Sequence, residues 1–195
     1  AKAVAELPSD AMFACFFAFV LHCRCGLRVP LGELMSVYCL LAVVCAALGL
    51  AIGAAIPNPE RAMTAGIPIM TVHMLTGVID PAGSAAAQPS QGMVMLRSFS
   101  PIRYAIEALC RSELDGAVLA PNPSEAGKFG GVALLRSGDV FIERLGISRS
   151  YEEAMLSLAA LLLCHLVAAA LLLVALQPRF SRARPPKHGM PVPCQ

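Results

Sequence analysis

The stretch LMSVYCLLAVVCAALGLAIGAAI, Leu34 to Ile56, holds 23 residues and no charged side chain. A helix crosses a bilayer core of about 30 Å with about 20 apolar residues, so this stretch reads as a membrane span. A second run, AMLSLAALLLCHLVAAALLLVAL from Ala154 to Leu176, is equally long and equally free of charge. Two weaker runs accompany them. AMTAGIPIMTVHMLTGVI, at 62–79, has 18 residues with Pro68 and His73 inside it. AMFACFFAFVLHC, at 11–23, has only 13, and a span over about 7–27 brings Asp10 near one end. Four spans are therefore expected, at about 7–27, 34–56, 62–79 and 154–176.

Composition points the same way. Of 195 residues, 57% are hydrophobic and 14% charged, with a mean hydropathy of +0.68. Soluble domains run at about 45–50% apolar and about 25% charged. With so little charge the chain cannot cover a water-facing surface, and the lipid bilayer is its expected surroundings. Fifteen basic against 13 acidic residues, net +2, gives no basic footprint for nucleic acid. The chain opens on Ala1, and Lys2, Glu6 and Asp10 interrupt any signal-peptide pattern. It is read as the C-terminal part of something longer.

Orientation follows from Lys and Arg beside the spans. Lys2, Arg61, Arg179, Arg182, Arg184 and Lys187 fall on one side, and Arg24 and Arg28 on the other. The richer side is cytoplasmic. This places 178–195, a basic and Pro-rich tail, inside the cell and the segment between the last two spans outside it. Gly49 and Gly53 have a small-xxx-small spacing that permits close helix packing, although glycine is also simply common in membrane helices.

Between the last two spans lies SFSPIRYAIEALCRSEL, Ser98 to Leu114. Ser100 suits an N-cap and Pro101 a first helical position. Ile102, Ala105, Ile106, Leu109 and Cys110 share one face. Arg103, Glu107 and Arg111 stand four apart on another, where Glu107 can pair with either arginine. Asp115 and Gly116 make a stop. A helix over 100–115 is too short to span, but it can lie at the interface or dip into the membrane. Glu113 has no cation four residues before it, so it is either hydrated or held by another element. The expected fold is all-α: a polytopic transmembrane bundle with one re-entrant or interfacial amphipathic helix and one long extracellular loop, 117–150.

These residues resemble the membrane domain of ABC exporters of the G subfamily. Ser100, Pro101, Arg103, Tyr104, Glu107, Ala108, Leu109 and Glu113 match that family's segment after its fifth span. Ser112 stands where the family usually has Asn, and Leu75-Thr76-Gly77 where it has Phe-Ser-Gly. AKAVAELPSD, ALGLAIGAAIPNPERA and GDVFIERLGIS are similar to three other family stretches, in the right order. The resemblance implies that residues 1–177 are part of a six-span domain, holding its third to sixth spans. It implies a homo- or heterodimer of such domains around a central cavity. Gly66, Met70 and His73 would line that cavity, and Val78 and Ile79 would form an apolar plug. The helix bearing Ser100, Pro101, Arg103, Tyr104, Glu107 and Glu113 would wall the exit.

No G-x-x-x-x-G-K-[ST] loop occurs, so phosphate cradling is not expected of this chain. The resemblance puts ATP and Mg on a nucleotide-binding domain upstream in cis. It also implies a hydrophobic or amphipathic cargo of lipid, sterol or xenobiotic class. The plasma membrane and an internal membrane both remain open as the location. A non-transporting membrane protein, either a truncated remnant or an assembly partner, stands as the alternative. No paired His or acidic cluster within the spans suggests a membrane enzyme. His22, Cys23 and Cys25 lack a fourth metal ligand, and His165 is expected to bond between helices.

Overall fold

The computed structural model describes residues 2–77, 91–117 and 138–176. Val78, Ile79, the loop stretch 118–137 and the tail 178–195 lie outside the described residues. Within them the fold is all-helical: α1 (Lys2–Cys25), α2 (Leu31–Ala55), α3 (Pro59–Gly77), α4 (Gln91–Ser98), α5 (Pro101–Leu114), α6 (Gly138–Arg144) and α7 (Tyr151–Leu176).

Two of these helices, α2 and α7, are long and apolar enough to cross a membrane. The segments expected to span at 7–27 and 62–79 form α1 and α3, which fall short of that measure. The physical reason is visible in the sequence. α1 carries Asp10 and Arg24, while α3 carries Glu60, Arg61, Pro68 and His73. Pro8 does not end α1, which runs on from Lys2 as one helix through the place where the expected span begins.

The helix ends are set by local chemistry. Gly26, at φ +61°, closes α1 with its N–H bonded to the His22 carbonyl. Asn58 Oδ1 accepts the N–H groups of Glu60 and Arg61 at the start of α3, where Pro59 occupies the first position. Ser150 and Glu153 cap α7 reciprocally: each side chain accepts the other's backbone N–H, at 3.2 and 2.9 Å.

The helices α2 and α7 pack along each other, α1 packs along α2, and α5 sits against both α2 and α7. Small residues make this possible. Ala105 and Ala108 of α5 meet Val37 of α2 and Ala154 of α7 in one buried cluster. Tyr104 joins Val44, Leu158 and Leu161 in the next. A third cluster gathers Ala18, Val29 and Leu34 where α1 turns into α2.

The outer faces stay apolar and uncovered: Phe13 and Phe16 of α1, Met63 and Leu75 of α3, and Leu156 and Leu163 of α7 are all more than half exposed. In water such a surface would be a liability, whereas in a bilayer it is the expected exterior.

Gly49 and Gly53 do not mediate close packing among the described residues. A Cβ at either would meet nothing within 4 Å. The tight approach is at Gly77 instead, where a Cβ would lie 3.0 Å from Ile102 and from Ser100 Oγ.

Candidate functional site

The site is built on α5, and its first feature is a buried carboxylate. Glu107 is 3% exposed. A carboxylate so far from water must be matched by charge and hydrogen bonds. Arg103, one turn earlier, bonds Oε1 at 2.7 Å. Arg149, from the linker before α7, bonds Oε2 at 3.0 Å. Spacing alone offered Arg111 as the second partner. The tertiary structure supplies Arg149 instead, 42 residues away in sequence. Arg149 also lies over the Tyr104 ring, 5.0 Å from its centroid, a cation–π contact. Tyr104 in turn donates its hydroxyl to the Ser98 carbonyl at 2.9 Å. One carboxylate thus ties α5 to the entry of α7.

The buried face of α5 differs from the one its apolar periodicity suggests. Pro101, Tyr104, Ala105, Glu107 and Ala108 are buried, whereas Ile102, Ile106 and Cys110 are only partly covered. Neutralised by two guanidinium groups, Glu107 faces inward, and the small alanines beside it let α5 approach its neighbours.

Glu113 is held by another element. Its Oε2 accepts the backbone N–H groups of Arg28 and Val29, at 2.8 and 2.9 Å. Both donors lie in the turn between α1 and α2. They precede a helix start, where backbone N–H groups otherwise look for acceptors. The neighbouring His22 ring bonds the Val29 carbonyl at 3.1 Å, so that imidazole is used in the same turn.

Ser100 occupies the N-cap position of α5 without making a side-chain cap bond. Its hydroxyl donates instead to the His73 carbonyl in α3, at 2.8 Å. Thr76 donates to the same carbonyl and to that of Val72. Ser100, Ile102 and Gly77 therefore form the α3–α5 joint.

Along α3, Gly66 and Met70 are partly covered and His73 is buried against the rest of the chain. The exposed apolar side of α3 carries Met63, Ile67, Met74 and Leu75. His73 Nδ1 has no hydrogen-bond partner among the described residues. His165 bonds the Leu161 carbonyl of its own helix at 2.8 Å, not a neighbouring helix as expected. Val78 and Ile79 lie outside the described residues.

A polar cleft opens beside α5, with a volume of about 490 Å³. Glu33, Arg111, Asp115, Tyr151 and Glu152 line it. Ser112 donates to the Glu33 carboxylate on its wall, and the Tyr151 hydroxyl bonds Ser36 at 2.9 Å. Sequence spacing could not reveal the cleft, because its walls come from three helices far apart along the chain.

Burial and its electrostatic surroundings also tune one thiol. Burial pushes the Cys110 thiol above its ordinary range, and the Glu107 carboxylate adds to the effect.

Apolar-surfaced shafts with a charged helix packed against them have the build of an all-α membrane helix bundle. Residues 1–114, more than half of the chain, match the family described as ABC-2 type transporter, and the chain belongs to that family. It is also similar to ABC transporter G family member 7 of Arabidopsis thaliana, with 29% identity over 120 residues. The match covers 59% of this chain and 16% of that relative, so the chain spans about a sixth of the relative's length. The G-subfamily resemblance of α5 and this likeness agree.

Proposed function

We propose that the chain forms part of the translocation path of an ATP-driven exporter, carrying a hydrophobic or amphipathic molecule outward. The observation that carries this reading is the family match over 1–114, which takes in α1 to α5 and ends at the last residue of α5. In this reading α1, α2, α3 and α7 all cross the membrane. A nucleotide-binding domain upstream in cis binds ATP and Mg, and two such membrane domains pair as a homo- or heterodimer. The exposed side of α3, with Met63, Ile67, Met74 and Leu75, borders the partner or the cavity between them. Val78 and Ile79, which follow α3 in sequence, serve as the apolar plug.

The test uses the full-length protein in inside-out vesicles, with a fluorescent amphiphile panel and a labelled sterol. ATP-dependent, vanadate-sensitive uptake of at least one compound is expected. Replacing both Val78 and Ile79 by Ala should raise the leak measured without ATP. Uptake no greater with ATP than with a non-hydrolysable analogue, for every compound at normal abundance, would favour a non-transporting assembly partner.

A further inference from the structure

The cleft beside α5 has an unusual charge arrangement. It holds one guanidinium, Arg111, and three carboxylates, Glu33, Asp115 and Glu152. Yet Arg111, Asp115 and Glu152 make no ion pair with one another: among the described residues the ion pairs are those of Glu107 with Arg103 and Arg149. Arg103, on the same helix as Arg111, is paired. Opposite charges facing one cleft without closing on each other leave room for a ligand that carries both signs.

The position of the cleft narrows the ligand. Glu33 lies in the first turn of α2, and Tyr151 and Glu152 open α7. These are the two helices apolar enough to span, so the cleft sits where hydrocarbon gives way to water. Glu152 also begins a stripe. Leu156 and Leu163 follow it at four and eleven residues, on one side of α7, and are 73% and 65% exposed. A polar pocket at the head of an exposed apolar track fits an amphiphile. At about 490 Å³ the cleft lies within the size range of small-molecule sites, about 300–1,000 Å³.

We propose that this cleft binds the headgroup of a zwitterionic phospholipid, with Arg111 on the phosphate, Asp115 and Glu152 facing the ammonium, and the acyl chains along Leu156 and Leu163. Tyr151 offers an aromatic wall to a quaternary ammonium. The proposal rests on the reading of α2 and α7 as spans, but not on transport.

The experiment is native mass spectrometry of the full-length protein in detergent, titrated with phosphatidylcholine, phosphatidylglycerol or water-soluble phosphocholine. Phosphatidylcholine should be retained in preference to phosphatidylglycerol, and phosphocholine should bind far more weakly than the lipid. Losing one charge-assisted contact should lower phosphatidylcholine occupancy about tenfold in Arg111→Gln, with Arg111→Lys restoring much of it. Glu152→Lys should turn the preference toward phosphatidylglycerol. That change lies outside the Ser150–Glu153 capping pair and leaves α7 intact. Equal retention of the two lipids by the wild type, unchanged phosphatidylcholine occupancy in Arg111→Gln, or unchanged preference in Glu152→Lys overturns the proposal. So does phosphocholine binding as tightly as the lipid, which would make the ligand a soluble zwitterion. Because no ATP or cargo enters the readout, lipid retention without transport would count against the exporter reading alone.

Discussion

α5 and α7 touch along much of α5, yet they are held by different physics. α7 packs through Ala154, Leu158 and Leu161, and its opposite side is bare leucine. Lipid tails are as apolar as these side chains, so burying them gains packing but little hydrophobic free energy. α5 is fixed by named polar partners: Glu107 with Arg103 and Arg149, Glu113 with the α1–α2 turn, and Ser100 with the His73 carbonyl. Each of those bonds has a direction and a specific donor or acceptor. Apolar shafts can slide or be repacked, whereas a helix pinned at three points has one position. The difference teaches that the shafts supply membrane residence and that α5 supplies register.

The sharpest way to break this comparison is Glu107→Ala. It removes two charge-assisted bonds, each worth about 1.5–3 kcal/mol, discounted because both guanidinium groups keep partial contact with water. A loss of about 3 kcal/mol is expected in thermal unfolding of the full-length protein in detergent. Leu158→Ala, fully buried in α7, should cost less than about 2 kcal/mol because only packing is lost. A larger loss for Leu158→Ala would reverse the ranking of the two regions.

Glu113→Ala comes next. It strands the N–H groups of Arg28 and Val29 in a partly buried turn, at about 1–3 kcal/mol. Glu113→Gln keeps a carbonyl acceptor and should fall between Ala and wild type. Surface abundance and efflux per surface copy, recorded separately, check both. Wild-type values for the two variants would mean that the turn holds itself.

Glycine substitutions sharpen the contrast between joint and shaft. Gly77→Ala presses a methyl against Ile102 and Ser100 and should cost about 1 kcal/mol. Gly49→Ala meets open space and should gain up to about 1 kcal/mol of helix propensity. Unfolding midpoints of the two variants, measured side by side, should move in opposite directions.

The smallest effect is chemical. The Cys110 thiol is pushed up by burial and by Glu107, so at neutral pH it carries less thiolate than an exposed cysteine. Maleimide should label Cys110 slowly at neutral pH, and its rate should keep rising above the ordinary range of a cysteine thiol. Glu107→Gln should shift that rise to lower pH. An unchanged profile would place the whole effect in burial.

Much of this molecule is legible in the residue order. Leu34 to Ile56 and Ala154 to Leu176 announce their helices because charge-free runs of that length have few other uses. Pro101, Asp115 and Gly116 bound α5 through dihedral preferences that act within a few residues. What the sequence could not disclose is which face of α5 turns inward. Its periodicity favours Ile102, Ala105, Ile106, Leu109 and Cys110; of these Ala105 is buried, and the rest of the buried face is Pro101, Tyr104, Glu107 and Ala108. The missing term was Arg149, and no local rule ties it to Glu107 across 42 residues. The same holds for Glu113 with Arg28 and Val29, for Ser100 leaving its cap to bond His73, and for the cleft at the heads of α2 and α7. Sequence by itself determined that the long apolar runs and the segment after Ser100 become helices, because length, charge and end residues are local properties. The short α4 and α6, the latter inside the expected loop 117–150, carry no such signal. Only the tertiary structure decided where the charges of α5 find their partners, because a buried carboxylate takes whichever cation the packing of distant elements brings within reach.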